Sequence, residues 1–243
     1  MLELQSATLA YNSIVAVDSI NIEIKPGEHV CLIGPSGCGK TSLLGLMNGR
    51  LESSSGKVVL DGKELKSLSG RALKTARSKI AWIPQDLGLV PNLRVNQNIA
   101  CGRASEKGFL GLMRSLLLMG SREKEEVADL LKRVGIKEKI FHRVDHLSGG
   151  QQQRVAIARA LYQRPEMILA DEPVSSVDPE RAKSLVELLI GLAREEGQTL
   201  VMSLHDIDLA KRYFDRVIGL REGQVVMDGA PDQIDLKQLY DLS

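Results

Sequence analysis

The stretch GPSGCGKT, Gly34 to Thr41, constrains this chain more than any other. It has the spacing of a phosphate-binding loop: glycine, four residues, then glycine, lysine and a hydroxyl residue. The apolar run EHVCLIG precedes it and the helical pattern KTSLLGLMNG follows, with Gly49 placed to stop the helix. Glycines let main-chain N–H groups turn inward, and the dipole of the following helix favours an anion there. In such a loop Lys40 reaches the β- and γ-phosphates of a nucleotide and Thr41 offers its hydroxyl to Mg²⁺. Gly34, Pro35, Ser36, Gly37, Cys38, Gly39, Lys40 and Thr41, with Ser42 behind them, are the candidate phosphate contacts.

The rest of the chain must supply a sheet for that loop. LELQSATLAY, SINIEIKPG and KVVLDG read as strands bounded by Asn, Pro and Gly. KIAWIP, EMILADE and TLVMSLHD are short buried strands, and DRVIGLREGQVVMDG is an edge hairpin. Helical patterns lie between strands, in QQQRVAIARALYQ before Pro165 and PERAKSLVELLIGLAREEG up to Gly197. This alternation predicts an α/β layered fold with a mainly parallel core sheet. From Asn92 to Val144 helical patterns take over. The 243 residues therefore divide into a core, 1–91 and 145–243, and an inserted helical subdomain, 92–144, within one domain. Phe109, Leu112, Met113, Leu116 and Leu117 fall on one helical face, which is predicted to form that subdomain's core. Part of the subdomain is alternatively a dock for a helix of a membrane partner.

A net charge of +1 and 3% aromatic residues argue against a nucleic-acid partner, which usually needs a basic surface or stacking rings. Cys31, Cys38 and Cys101 follow no metal spacing, which predicts a reduced, cytoplasmic protein. MLELQSATLAY alternates like a strand rather than a signal peptide. FLGLMRSLLLMG is too short to cross a bilayer, so any membrane role comes through a partner.

Two acids, Asp171 and Glu172, close the apolar strand MILADEP. Alone they are compatible with a solvated strand end. Beside a phosphate loop the first suits the Mg²⁺ shell and the second suits a general base for an attacking water. His205 ends TLVMSLH and Gln85 ends AWIPQ, where Gln85 could sense Mg²⁺ or that water. Gly34, Gln85, Asp171 and His205 all follow short apolar strands, at the end where α/β sheets gather ligands. LSGGQ, from Leu147 to Gln151, is a second helix start. It is compatible with a plain glycine-rich cap, or with an anion site built from the Ser148 hydroxyl and the amides of Gly149 and Gly150. Arg154 and Arg159 are expected to form surface ion pairs.

In order and spacing these residues resemble the ATP-binding-cassette family over nearly the whole chain. The resemblance covers the Walker A loop, Q-loop Gln85, the signature Leu147–Gln151, Walker B through Asp171 and Glu172, the SSVD loop with Asp178, and switch His205. It implies a phosphate-loop nucleotide hydrolase with an antiparallel β subdomain, ATP and Mg²⁺ as cofactors, and Tyr11 stacked on adenine; Tyr11 is otherwise a strand-end aromatic. Mg²⁺ would meet Thr41, Gln85 and Asp171. Two copies would stack head to tail, with Ser148, Gly149, Gly150, Gln151 and Asp178 completing the partner's site in trans. LHDIDLAKRYFDRVIGLREGQVVMDGAP and the insert beginning GRASEKGFLGLMRSLLLMG look like the ATPases of phosphonate importers. Those take phosphonate or phosphite from a binding protein through separate transmembrane permease subunits, with the ATPase on the cytoplasmic membrane face. The alternatives are another importer's ATPase, for phosphate or amino acids, or a regulatory or repair cassette.

Overall fold

The alternation at the N-terminus becomes β1 (Leu2–Tyr11) and β2 (Ile14–Ile24), antiparallel, with Leu2 opposite Ile24 and Tyr11 opposite Ile14. Asn12 makes the turn between them in the left-handed region, which asparagine tolerates better than most residues. All five residues of β3 (His29–Ile33) are buried, as expected of a strand covered on both faces. The phosphate loop and α1 (Lys40–Met47) follow, the helix ending at Asn48 with Gly49 left-handed after it. Then come β4 (Ser55–Leu60), β5 (Lys63–Glu64), α2 (Gly70–Ser78) and β6 (Ile80–Ile83). Three helices come next: α3 (Val95–Ala100), α4 (Ala104–Leu117) and α5 (Ser121–Arg133). Alternation then resumes with α6 (Gly149–Tyr162), β7 (Met167–Asp171), α7 (Pro179–Glu195), β8 (Thr199–Ser203) and α8 (Ile207–Tyr213), before the hairpin β9 (Arg216–Arg221) and β10 (Gln224–Gly229). This computed structural model describes residues 1–175, 177–233 and 239.

The strands form two sheets. One is antiparallel, in the order β2-β1-β4-β5; the other has the order β10-β9-β3-β8-β7-β6 and is parallel except for β10. Because β3 alternates sides, Cys31 and Ile33 enter one apolar cluster with α3, α5, α6 and α7, while Val30 and Leu32 enter another with α1 and the antiparallel sheet. Parallel pairing in register sets Ile83 beside Ala170 and Asp171 beside Ser203. The residues that follow β3, β6, β7 and β8 are thus gathered along one sheet edge, as their positions after apolar strands predict.

The helical stretch departs from expectation in one respect. Phe109 and Leu117 are 77% and 74% exposed, Met113 is exposed, and Leu112 and Leu116 are only half-buried. This face is not the subdomain core. The inner side of α4 is polar instead: Glu123 of α5 receives Lys107, the Ser115 hydroxyl at 3.1 Å and the Tyr162 hydroxyl at 3.2 Å. Arg103 lies over the Tyr162 ring, 4.1 Å from its centre, and binds Glu126. Fixing these polar groups inward turns the leucine-rich face outward, and Gly108, with φ 64° and ψ −178°, breaks the helix just before it. No helix among the described residues is long and apolar enough to cross a membrane.

Candidate active site

The phosphate loop is threaded between two strands. A Cβ on Gly34 would lie 2.2 Å from the Leu220 carbonyl oxygen, and one on Gly39 would lie 2.2 Å from that of Ala16. Both glycines also have positive φ, 153° and 109°, so close approach and backbone conformation both demand glycine. The tail hairpin holds the loop too: the Gly223 N–H donates to the Cys38 carbonyl at 3.0 Å. Cys38 is buried, and burial raises its thiol pKa while Lys40 nearby opposes the rise. Gly39 caps α1 without any side-chain hydrogen bond. Among the described residues the N–H groups of Thr41 and Ser42, in the first turn of α1, have no intrahelical partners and thus remain for an anion.

Lys40 is 4% exposed, an unusual position for an ammonium. Its Nζ donates to the Gly34 carbonyl at 3.0 Å and the Pro35 carbonyl at 3.3 Å, and stands 3.6 Å from Glu172 Oε1. Glu172 gathers the other predicted residues. His205 Nε2 is 2.6 Å from Oε1, and Gln85 Nε2 donates to Oε2 at 3.4 Å. Residues from four strand ends therefore meet at one carboxylate, itself held at a left-handed φ of 45°. A glutamate in that region is strained, a condition that clusters at functional sites.

Asp171 is 2% exposed and, among the described residues, receives one hydrogen bond, from Ser203 Oγ at 2.8 Å. A buried carboxylate with so little compensation suits a cation. Ser203 Oγ also accepts the Glu172 N–H at 2.9 Å, so one hydroxyl orients both acids. Sequence reading did not single out Ser203; its signal was a polar residue closing an otherwise apolar strand. Tyr11 is about half exposed, at the β1–β2 turn that leads to Ala16 against the loop.

The second helix start lies apart. Ser148 caps α6 in a reciprocal box, its Oγ accepting the Gln151 N–H at 3.4 Å while its own N–H donates to Gln151 Oε1 at 3.1 Å. Asp178 caps α7, its Oδ1 accepting the Arg181 N–H at 3.1 Å; Ser176 of the same loop lies outside the described residues. Among the described residues no hydrogen bond or ion pair joins Ser148, Gly149, Gly150, Gln151 or Asp178 to Lys40, Glu172 or His205. Ser148, Gly150 and Gln151 instead line a cleft of about 260 Å³ with Arg154, Arg181 and Ser184. Among the described residues the two arginines expected in surface ion pairs do not form them. Arg154 donates to the Val134 carbonyl at 2.6 Å, and Arg159 donates to the carbonyls of Leu87 and Gly88.

With this geometry in place, the chain can be set beside known proteins. The family model described as ABC transporter matches residues 17–175. The phosphonates import ATP-binding protein of Thiobacillus denitrificans is 42% identical over 240 residues, 98% of this chain and 90% of that protein. Its counterpart from Wolinella succinogenes is 40% identical, covering 100% of this chain and 88% of that protein. The ATP-binding cassette MJ0796, solved as a dimer in a post-hydrolysis state bound to ADP and phosphate, superposes with a TM-score of 0.82 at 32% identity. That match covers 95% of this chain and 99% of MJ0796. The CbiO1 protein of Clostridium perfringens, part of the ABC transporter complex CbiONQ, superposes with a TM-score of 0.82 at 30% identity, covering 96% and 89%.

Proposed function

The chain belongs to the ABC transporter family and is an ATPase of that family, and on this premise we propose that it powers uptake of phosphonate, or phosphite, by an importer. The meeting of Lys40, Gln85 and His205 on the Glu172 carboxylate carries this reading of the site. Glu172 takes the proton of a water that attacks the γ-phosphate, and the bond to the β-phosphate oxygen breaks to release ADP and phosphate. His205 holds the Glu172 carboxylate in place. Lys40 turns from the loop carbonyls to the β- and γ-phosphate oxygens, and the amides of the loop from Gly34 to Ser42 hold the phosphates. Tyr11 stacks on the adenine. Thr41, Gln85 and Asp171 would hold Mg²⁺, which when bound draws charge off the phosphate oxygens. Replacing Glu172 by Gln tests the assignment: ATP should still bind and hold the dimer closed while turnover falls by about 100-fold or more. Steady turnover in that variant would remove Glu172 as the base.

The working unit in this proposal is a head-to-tail homodimer. Ser148, Gly149, Gly150, Gln151 and Asp178 of one copy complete the Lys40 side of the other, an isologous arrangement that a single sequence can build. The dimeric state of MJ0796 supports it. The 92–144 helices form a subdomain inserted into the 1–91 and 145–243 core. The chain sits at the cytoplasmic face of the membrane on separate permease subunits, supplied by a phosphonate-binding protein. The names of the relatives support this solute. Reconstituting the co-purified membrane complex tests it: phosphonate with its binding protein should stimulate ATP hydrolysis. Stimulation by phosphate, amino acids or nucleic acid instead would overturn it.

A further inference from the structure

The turn that carries Gln85 away from β6 has an unusual backbone. Leu87 and Gly88 follow one another in the left-handed region, with φ 61° and 53°. A leucine there is disfavoured, and two such residues in a row need support from outside the turn. Part of it is local. The Leu87 N–H donates to the Pro84 carbonyl at 2.9 Å, and the Gly88 N–H donates to Asp86 Oδ1 at 3.1 Å.

The remaining support comes from the signature helix. Arg159, in the third turn of α6, donates through Nη1 to the Gly88 carbonyl at 2.5 Å and through Nη2 to the Leu87 carbonyl at 2.6 Å. Its guanidinium thus grips both left-handed carbonyls with its planar fork. Among the described residues Arg159 forms no ion pair; the Asp86 carboxylate of the same turn acts on it from farther away, and neutral carbonyls compensate a partly buried charge less well than a bonded acid would. The α6 main chain at this point is fixed as well. A Cβ on Gly102, after α3, would come within 2.4 Å of the Arg159 carbonyl oxygen. From there α6 runs unbroken to its cap, Ser148, roughly 16 Å away along the axis at 1.5 Å per residue.

We propose that Arg159 is a positioning residue that ties the Gln85 turn to α6. A change in Gln85 engagement at one ATP site then moves or holds the Ser148 end that the same copy presents to the other site. This coupling rests on the assignments of Gln85 and Ser148 proposed above.

The test uses the full chain and measures kcat, KM and the Kd of a fluorescent ATP analogue. The variants are Gln85→Ala, Asp86→Ala, Arg159→Met, Arg159→Lys, and each of Asp86→Ala and Arg159→Met combined with Gln85→Ala. Dimerisation on adding ATP is read in a Glu172→Gln background. Arg159→Met and Asp86→Ala should each lower kcat by about tenfold and weaken dimerisation, while nucleotide Kd stays within about twofold. Arg159→Lys should recover about a third of the activity, because one donor of the fork remains. On top of Gln85→Ala, neither change should cost more than about a further twofold, since the residues act as one unit. A full tenfold loss in that background, or wild-type kcat and dimerisation in both single variants, overturns the coupling. If Arg159→Met does not fold, the solvent-side Asp86→Ala decides by the same comparison. Wild-type kcat in Gln85→Ala would instead overturn the site assignment itself.

Discussion

Asp171 and Glu172 are neighbours with opposite surroundings. Asp171 is buried and receives the Ser203 hydroxyl. Glu172 is met by a lysine, a histidine and an amide. Their separation follows from the pleat, which sends successive residues at a strand end to different sides. Ser203 is the hinge between them, buried and bonded to the carboxylate of one and the N–H of the other. Ser203→Ala would leave the Asp171 carboxylate without its donor and release the strained Glu172 backbone. A lost partner of this kind costs about 1–3 kcal/mol in stability, and a residue behind a metal ligand costs on the order of 10-fold or more in metal affinity. Denaturant unfolding should therefore show the loss, and the Mg²⁺ concentration at half-maximal ATPase should rise by about tenfold. An unchanged Mg²⁺ dependence would leave Ser203 as a packing residue only. Asp171, Glu172, Gln85 and His205 are legible in the sequence because each follows an apolar run that can only be a buried strand. Ser203 and Arg159 are not, because their partners lie 31 and more residues away and meet them only through strand order and helix packing.

Two elements carry tests that separate scaffold from chemistry. The start of α6 is a sound cap on its own terms, with Ser148 and Gln151 bonded reciprocally. Ser148→Asp keeps a good N-cap and adds charge favourable to the helix dipole. Stability should stay within about 0.5 kcal/mol by chemical denaturation, yet a carboxylate facing a phosphate should abolish ATP-driven dimerisation. Retained dimerisation would reduce LSGGQ to a cap. The start of β3 offers a pH test. His29 is buried, its Nδ1 accepting from Arg194 Nε at 3.3 Å and its Nε2 facing the Gln198 carbonyl at 3.1 Å. Burial lowers its pKa below the ordinary histidine value, Arg194 lowers it further, and the Gln198 carbonyl and Asp215 oppose the shift. The folded state therefore binds fewer protons than the unfolded one, so this group's stabilisation is full above about pH 6.5 and is lost as pH falls through the folded pKa. Urea midpoints should fall between pH 7 and pH 5. His29→Gln, which can accept and donate in the same places, should flatten that fall, and an unaltered slope would exclude His29 as its source. The succession of strands along the chain and the ends of α1, α6 and α7 were legible from periodicity and from the stops at Gly49, Pro165 and Gly197. The outward face of α4 was not, because periodicity reports that a face exists and not what covers it. Here Ser115, Lys107 and Tyr162 converge on Glu123 and take the inner side.

At the scale of the molecule, one chain carries two helix starts suited to anions, and they do not meet. The one at Gly39 lies beside Lys40, Glu172, Gln85 and His205; among the described residues the one at Ser148 has its own cap and a shallow cleft beside Arg154 and Arg181. A single copy has no use for both in one reaction, whereas a pair placed head to tail does. Mixing two disabled chains distinguishes these cases. Ser148→Arg spoils the signature but leaves the Lys40 side intact, and Lys40→Ala does the reverse. If sites are composite, a mixed dimer concentrates both lesions in one site and leaves the other whole. Random pairing makes half the dimers mixed, each with one working site, so about a quarter of wild-type ATPase should return if the sites work independently. If each chain served its own nucleotide, every site would carry one lesion and the mixture would stay as inactive as its parts. Titrating one variant into the other sharpens the result, because activity then follows the product of the two fractions and peaks at equal amounts. A flat or merely additive curve would rule out the head-to-tail pair.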